Sequence, residues 1–345
     1  MSIRNLFVCV LAAGLLPAQN PPDFVERYTF VTAPVTVRDK KGRIVNGLTE
    51  ADFQLFDKGI PQKVTEDLSI HPISMVVAVQ ASANMDKLLP NIRKIGNLVS
   101  QFVLGEQGEL AVTAFDHRIK NMTGFTSDPD QISAAFTKIQ TGSGTSHLND
   151  AVMDAVHLLR NRPPDRRRIL VLVAETRDYG SEVHQRDVMV DAGFAGVMIY
   201  SVEVSRLMTT LTSKAQAPRP NPVPPEAQRL PAGTVGTLTT DAQGQMGNYA
   251  PIFKGIKTAI KGVTGSNPQE IYTKFTGGRQ YSYMNQKGLE ESIADLGNEI
   301  HSQYLLTYLP SNRAEGGDHE IEVKVTRPGL EVRTRASYAI APSLN

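Results

Sequence analysis

The chain has 345 residues, with 36 Lys+Arg against 35 Asp+Glu and 41% hydrophobic residues. That composition excludes a collagen, a coiled coil and a wholly disordered chain. A formal net charge of +1 leaves no electrostatic footprint for nucleic acid, and the length suits one large domain or two to three small ones.

The N-terminus carries Arg4, an unbroken apolar or small run over residues 6–16, and a small residue, Ala18, before Gln19. This is the layout of a secretory signal peptide, expected over residues 1–18. The run is shorter than the roughly 20 apolar residues a bilayer span needs. No later stretch is long enough either, so no membrane span is expected after signal removal. Export places the mature chain in the periplasm, the cell envelope or the extracellular space. Cys9 is the only cysteine and lies in the signal, so disulfides, thiolate catalysis and Cys-ligated zinc fall away with it.

Residues 24–70 read as short strands. Val35-Thr36-Val37 is β-branched, Asp52-Phe53-Gln54-Leu55-Phe56 alternates at period two, and Asn46-Gly47 and Asp57-Lys58-Gly59 mark turns. From residue 71 the pattern becomes α/β. Met75-Val76-Val77-Ala78-Val79 is a wholly apolar strand. Leu88, Ile92, Ile95, Val99 and Phe102 follow at helical spacing and predict a helix over 86–103 opened by Asp86. A strand at 110–115, a helical stripe through Leu148, Val152, Ala155 and Leu159, and a strand at 169–173 come next. A turn at Gly193–Gly196 leads into a strand at 197–202. Apolar strands alternating with amphipathic helices predict a Rossmann-like, doubly wound, mostly parallel sheet over residues 71–310. Arg166-Arg167-Arg168 reads as a solvated strand edge. Six prolines within 218–231 predict a Pro-rich disordered insertion at about 206–250. Helices are expected at 253–263 and 269–275, a strand at 279–283, a helix through Leu289, Ile293, Leu296 and Ile300, and a strand at 304–308. Residues 311–345 close the chain. Strands at 321–325 and 330–336 form a predicted hairpin across Arg327-Pro328-Gly329, packing with the N-terminal segment as a small companion β domain.

Parallel sheets bind ligands at the carboxyl ends of their strands. Three loops there carry polar residues: Gln80-Ala81-Ser82-Ala83-Asn84, Gly142-Ser143-Gly144-Thr145-Ser146, and Glu175-Thr176-Arg177-Asp178-Tyr179-Gly180-Ser181. In order and spacing they resemble the von Willebrand factor type A family. There a first strand ends in D-x-S-x-S, a distant loop supplies a threonine, and a later strand supplies an aspartate. More narrowly, "PVTVRDKKGRIVNGLTEADFQLFDKG", "SQYLLTYLPS" and "HEIEVKVTRPGLEVRTRASY" resemble a group of exported bacterial (acidobacterial-type) proteins with a type A-related domain.

The resemblance implies a metal-ion-dependent adhesion site for Mg²⁺ at Gln80, Ser82, Asn84, Thr145 and Glu175. It also implies a non-enzymatic role in which the ion captures an acidic residue of a protein partner. Ser82 and Thr145 match the family pattern. Gln80 stands for the first aspartate, Asn84 for a serine and Glu175 for the later aspartate. Two carboxylates have become one, and the amides are neutral, so the site is degenerate and Mg²⁺ binding is expected to be weak or absent. Asp178 and Ser146 border the same face as candidates to touch the partner. Ser146, Asn149 and Asp150 also read as a helix cap, and Asp178 as a turn stabiliser. Two other functions stay open: a metal-free scaffold of the cell envelope, and a hydrolase using Ser82 or Ser146 with His147 and Asp150, although no G-x-S-x-G elbow is present.

Overall fold

Period-two burial builds the first strands of the computed structural model, which describes residues 30–66, 71–175, 177–204, 267–312 and 317–340. The expected signal (1–18), the Pro-rich insertion and the helix at 253–263 lie outside the described residues. β1 (Val31–Asp39) buries Val31, Ala33, Val35 and Val37. β2 (Phe53–Asp57) buries Phe53, Leu55 and Asp57. Lys58 and Gly59, with φ of 49° and 77°, form the two-residue turn that right-twisted hairpins favour. The turn pairs β2 with β3 (Ile60–Gln62), followed by β4 (Val64–Glu66).

The central sheet contains β5 (Ile73–Gln80), β6 (Glu109–Phe115), β7 (Ile119–Thr126), β8 (Arg167–Ala174), β9 (Met198–Val204) and β10 (Gln280–Tyr283), in the order β10-β9-β8-β5-β6-β7. All neighbours are parallel except the edge pair β6–β7. Alternate residues of β5 feed opposite layers. Met75, Val77 and Val79 pack with α1 (Leu89–Ile92), α2 (Gly96–Val99), α3 (Pro129–Thr137) and a long C-terminal helix, defined below. Val76 and Ala78 pack with α4 (Leu148–Arg160), α5 (Gln185–Ala195) and α6 (Pro268–Thr276). The long helix is α7 (Gln286–His301), which buries Leu289, Ile293, Leu296 and Ile300. The chain leaves β5 for β6 on one side, while β8 lies on the other. This reversal opens a crevice at the carboxyl ends of β5 and β8.

Several expectations change. The helix over 86–103 is broken into short segments: α1, α2 and a π-helical turn at Ser100–Leu104. At Gly96 the backbone approaches α3 so closely that an added Cβ would lie 3.0 Å from Ser133 Cα. Asp86 accepts a bond from Thr141 Oγ1 (2.6 Å) rather than capping a continuous helix. The turn before β9 is made by Gly196 alone, in the left-handed region (φ 64°), because Gly193 belongs to α5.

After α7 the chain returns to the N-terminal strands. β11 (Tyr304–Tyr308) inserts between β1 and β4. β12 (Gly317–Val325) pairs with β2 and with β14 (Ser337–Ile340), whereas β13 (Leu330–Arg333) pairs with β1. The segments expected to form a hairpin therefore enter different sheets, β13-β1-β11-β4 and β14-β12-β2-β3. Arg327 explains the divergence. It grips Asp52 with two bonds (2.9 and 3.1 Å), and Thr326 N donates to Asp52 O, which pins the turn beside β2 while the chain crosses to β1. The sheets share a core of Val35, Val37, Leu55, Leu306, Tyr308 and Val323. Inside that core Asp57 accepts from Tyr308 Oη, Tyr338 Oη, Asn312 Nδ2 and His319 Nδ1. Burial alone would raise this carboxyl; its donors outweigh burial and hold it below the usual range.

Candidate functional site

The crevice is assembled from loops whose backbones interlock. Ala81 N donates to Phe115 O (2.7 Å), Gly142 N to Ala81 O (2.6 Å) and Ala83 N to Ser143 O (2.7 Å). These bonds bring the loop after β5 against the loop before α4. Gln80, Ser82 and Glu175 are buried there, Asn84 is half-buried, and Thr145 is exposed.

Gln80 sits at the centre. Its Oε1 accepts from the backbone N–H of Glu175 (2.8 Å), which fixes the orientation of the amide. Its Nε2 therefore points at Ser82 Oγ (2.7 Å) and Glu175 Oε2 (3.5 Å). Asn84 Nδ2 approaches the same Glu175 oxygen at 3.4 Å. Gln269 on α6 completes the cage by donating from Nε2 to Glu175 O, while its Oε1 accepts from Ser201 Oγ. Four of the five expected ligand residues thus meet. Thr145 stands apart, its Oγ1 3.3 Å from Ser143 Oγ.

As arranged, this donor set does not fit a divalent cation. Mg²⁺ requires oxygen at every position, yet two amide N–H₂ groups face the Glu175 carboxylate. Turning Gln80 to offer Oε1 would strand the buried Glu175 N–H, at a cost of about 1–3 kcal/mol. Among the described residues, no group of three or more His, Cys, Asp or Glu side chains is placed to hold a metal.

The bordering residues serve α4. Its N-cap is His147, which makes no side-chain capping bond. Asp178 Oδ1 instead accepts from Leu148 N (2.8 Å) and Asn149 N (3.2 Å), and Ser181 Oγ accepts from Asn149 N (3.0 Å) and Asp150 N (3.2 Å). The helix is capped from another loop, which satisfies its free N–H groups and places a negative charge at its positive end. Asp150 in turn accepts from Val183 N and Glu182 N. Ser146 does not cap: its hydroxyl is buried without a bonding partner among the described residues. His147 Nδ1 lies 3.3 Å from Asp150 Oδ2, and no described histidine bonds the hydroxyl of Ser82 or Ser146.

Sequence reasoning missed Asp116. This buried residue directly follows β6, accepts from Ser143 N (2.8 Å) and Arg118 N (2.8 Å), and takes the His147 backbone N–H on its carbonyl. Burial raises its carboxyl, but the Ser143 and Arg118 N–H groups and the neighbouring His117 and Lys120 prevail and hold it below the ordinary value. An acidic residue directly after an apolar strand was the available signal. At the same end of the sheet three apolar side chains are exposed: Ile119 at the start of β7 (36%), Tyr179 after β8 (40%) and Met284 after β10 (68%).

No family model and no curated protein matches this sequence. Solved structures similar to this chain include the conserved hypothetical protein BatB from Bacteroides thetaiotaomicron (12% identity, TM-score 0.41, 66% of this chain and 99% of that one). Proximal thread matrix protein 1 from the mussel byssus is another (8% identity, TM-score 0.42, 66% and 47%), and this chain spans about half its length. A third is the vWF domain of the type V pili tip protein Mfa5 from Porphyromonas gingivalis (16% identity, TM-score 0.27, 30% and 38%). Likenesses of this size carry no information about binding.

Proposed function

We propose that this chain is an exported, non-enzymatic binding module, akin to von Willebrand factor type A domains, which docks a protein partner on the carboxyl-end face of its central sheet. The observation that carries this reading is that Ile119, Tyr179 and Met284, which follow β6, β8 and β10, are all exposed at the carboxyl-end face of the sheet. Large apolar side chains exposed on one face can anchor another protein, and aromatic residues and methionine are enriched in such contacts. The amide-closed floor supports a mode that needs no tightly bound cation. The N-terminal run of residues 6–16 after Arg4 supports export, and Ser146 and Asp178 belong to the docking face through the loops they anchor.

A pull-down from the exported fraction tests the reading. Wild type and Ile60→Asp, a change at an exposed site on the β-sandwich, should recover the same partner. Tyr179→Asp with Met284→Asp should reduce recovery by about tenfold or more, as expected when interface anchors are removed. Equal capture by the face variant would overturn the proposal.

A further inference from the structure

At the opposite end of the central sheet, where β8 and β9 begin, the β-sandwich and the α/β layers border a half-open cavity of about 350 Å³. Its apolar lining includes Pro34, Met198 and Leu305, and its polar lining is dominated by arginines. The basic triplet expected at a solvated edge instead turns inward. Arg166 is neutralised by Glu109 (3.3 Å). Arg167 and Arg168 have no acidic partner among the described residues. Arg167 donates to Ile300 O and Gln303 Oε1. Arg168 donates to Ala195 O and Arg162 O, and its buried Nε has no acceptor. Arg335 also lines the cavity, with its Nη2 beside Gly196. Its guanidinium forms no ion pair and no side-chain hydrogen bond among the described residues. The one acidic lining residue, Asp165, is exposed.

Carbonyl oxygens satisfy N–H groups but do not neutralise charge, and partly buried cations are costly without a counter-charge. Consistently, desolvation holds Arg167, Arg168 and Arg335 below the ordinary guanidinium range.

We infer that this cavity binds a small organic anion whose carboxylate pairs with Arg335 and Arg168 and whose apolar body lies against Pro34, Met198 and Leu305. The planar guanidinium fork of Arg335 matches a carboxylate with two parallel bonds, and Arg168 adds a second unneutralised positive charge beside it. A concavity near the lower end of the usual size range, with apolar walls beside convergent polar groups, is a common form of a small-molecule site. The inference does not depend on the docking face, which lies at the other ends of the strands.

Octanoate, 1-octanol and acetate are suitable probes for titration calorimetry and thermal shift on the intact protein. Octanoate should bind saturably at one site, about tenfold or more tightly than either octanol, which lacks the charge, or acetate, which lacks the apolar body. Arg335→Gln should weaken octanoate by about tenfold without lowering the melting temperature of the free protein, since it breaks no side-chain bond and removes a charge that lacks a partner. If that variant fails to fold, the three-probe comparison on wild type decides alone. Octanol or acetate binding as well as octanoate, no saturable octanoate binding up to millimolar concentration, or full affinity in folded Arg335→Gln would each overturn the assignment.

Discussion

A single amide sets the chemistry of the strand-end crevice. Gln80 spans β5 and the end of β8 by accepting from Glu175 N and donating toward Ser82 and the Glu175 carboxylate. It fills with N–H groups the space where a cation would need oxygen. Replacing Gln80→Asp and Asn84→Ser removes both opposing donors and adds a second carboxylate beside Glu175. Without metal, two like charges in a shielded crevice repel, and the double variant should melt below wild type. With Mg²⁺ the same pair becomes a ligand set, so calorimetry should show at least about a tenfold gain in affinity over wild type, and the lost melting temperature should return with added Mg²⁺. Micromolar Mg²⁺ binding by wild type, or no gain in the double variant, would contradict this reading of the amides.

Between elements, the loop from α3 to α4 is seated on the end of β6 by Asp116, and Gly142 makes the fit possible. A Cβ at Gly142 would lie 2.0 Å from Asp116 Oδ2 and 2.8 Å from its Cγ, so Gly142→Ala must displace the carboxylate that holds Ser143 N and Arg118 N. A loss of about 1–3 kcal/mol in urea unfolding is expected. Amide exchange should accelerate at Ser143 before it does in β5; unchanged protection at Ser143 would show that Asp116 does not seat the loop. This dependence on a distant partner also marks the limit of what the sequence discloses. β5, β6, β8 and β9 are legible because both faces of a central parallel strand are apolar. β7 is not, because an edge strand with half-solvated faces leaves a mixed pattern, exposed at Ile119, Lys120 and Asn121. The start of α3 was written in Asp128-Pro129, where the Asp128 side chain accepts from two backbone N–H groups, but nine helical residues give little periodicity to read. Gln80, Ser82 and Glu175 could be placed from strand ends alone. The cap on α4 could not, since Asp178 and Ser181 reach it from a loop some thirty residues further along the chain.

The whole molecule is joined by a buried polar seam centred on Glu299 of α7, which is fully buried. Arg38 of β1 reaches it at 2.7 Å, Arg333 of β13 pairs with its other oxygen, Arg279 lies at 3.7 Å, and Tyr281 Oη donates at 3.1 Å. Two of these arginines belong to the β-sandwich, while Arg279 and Tyr281 belong to the α/β layers. Gln303 extends the seam, donating to Thr36 Oγ1 of β1 and to Tyr200 Oη of β9. The chain crosses between the two parts more than once, before β5 and again before β11, so their cooperativity depends on how firmly this seam holds. Glu299→Gln keeps the shape of the side chain and removes its charge, leaving three guanidiniums without their common carboxylate. Breaking one partner of a buried ion pair costs about 3–5 kcal/mol, and at roughly 2–4 °C per kcal/mol for domains of 150–250 residues the melting temperature should fall by about 6–20 °C. The cost falls on the contact between the parts, not on either core. Scanning calorimetry should therefore show the transition broaden or split, with the calorimetric enthalpy exceeding the van't Hoff value. A single sharp transition at the wild-type temperature would mean that apolar contacts alone hold the sandwich to the sheet, and that Glu299 is a satisfied but dispensable charge.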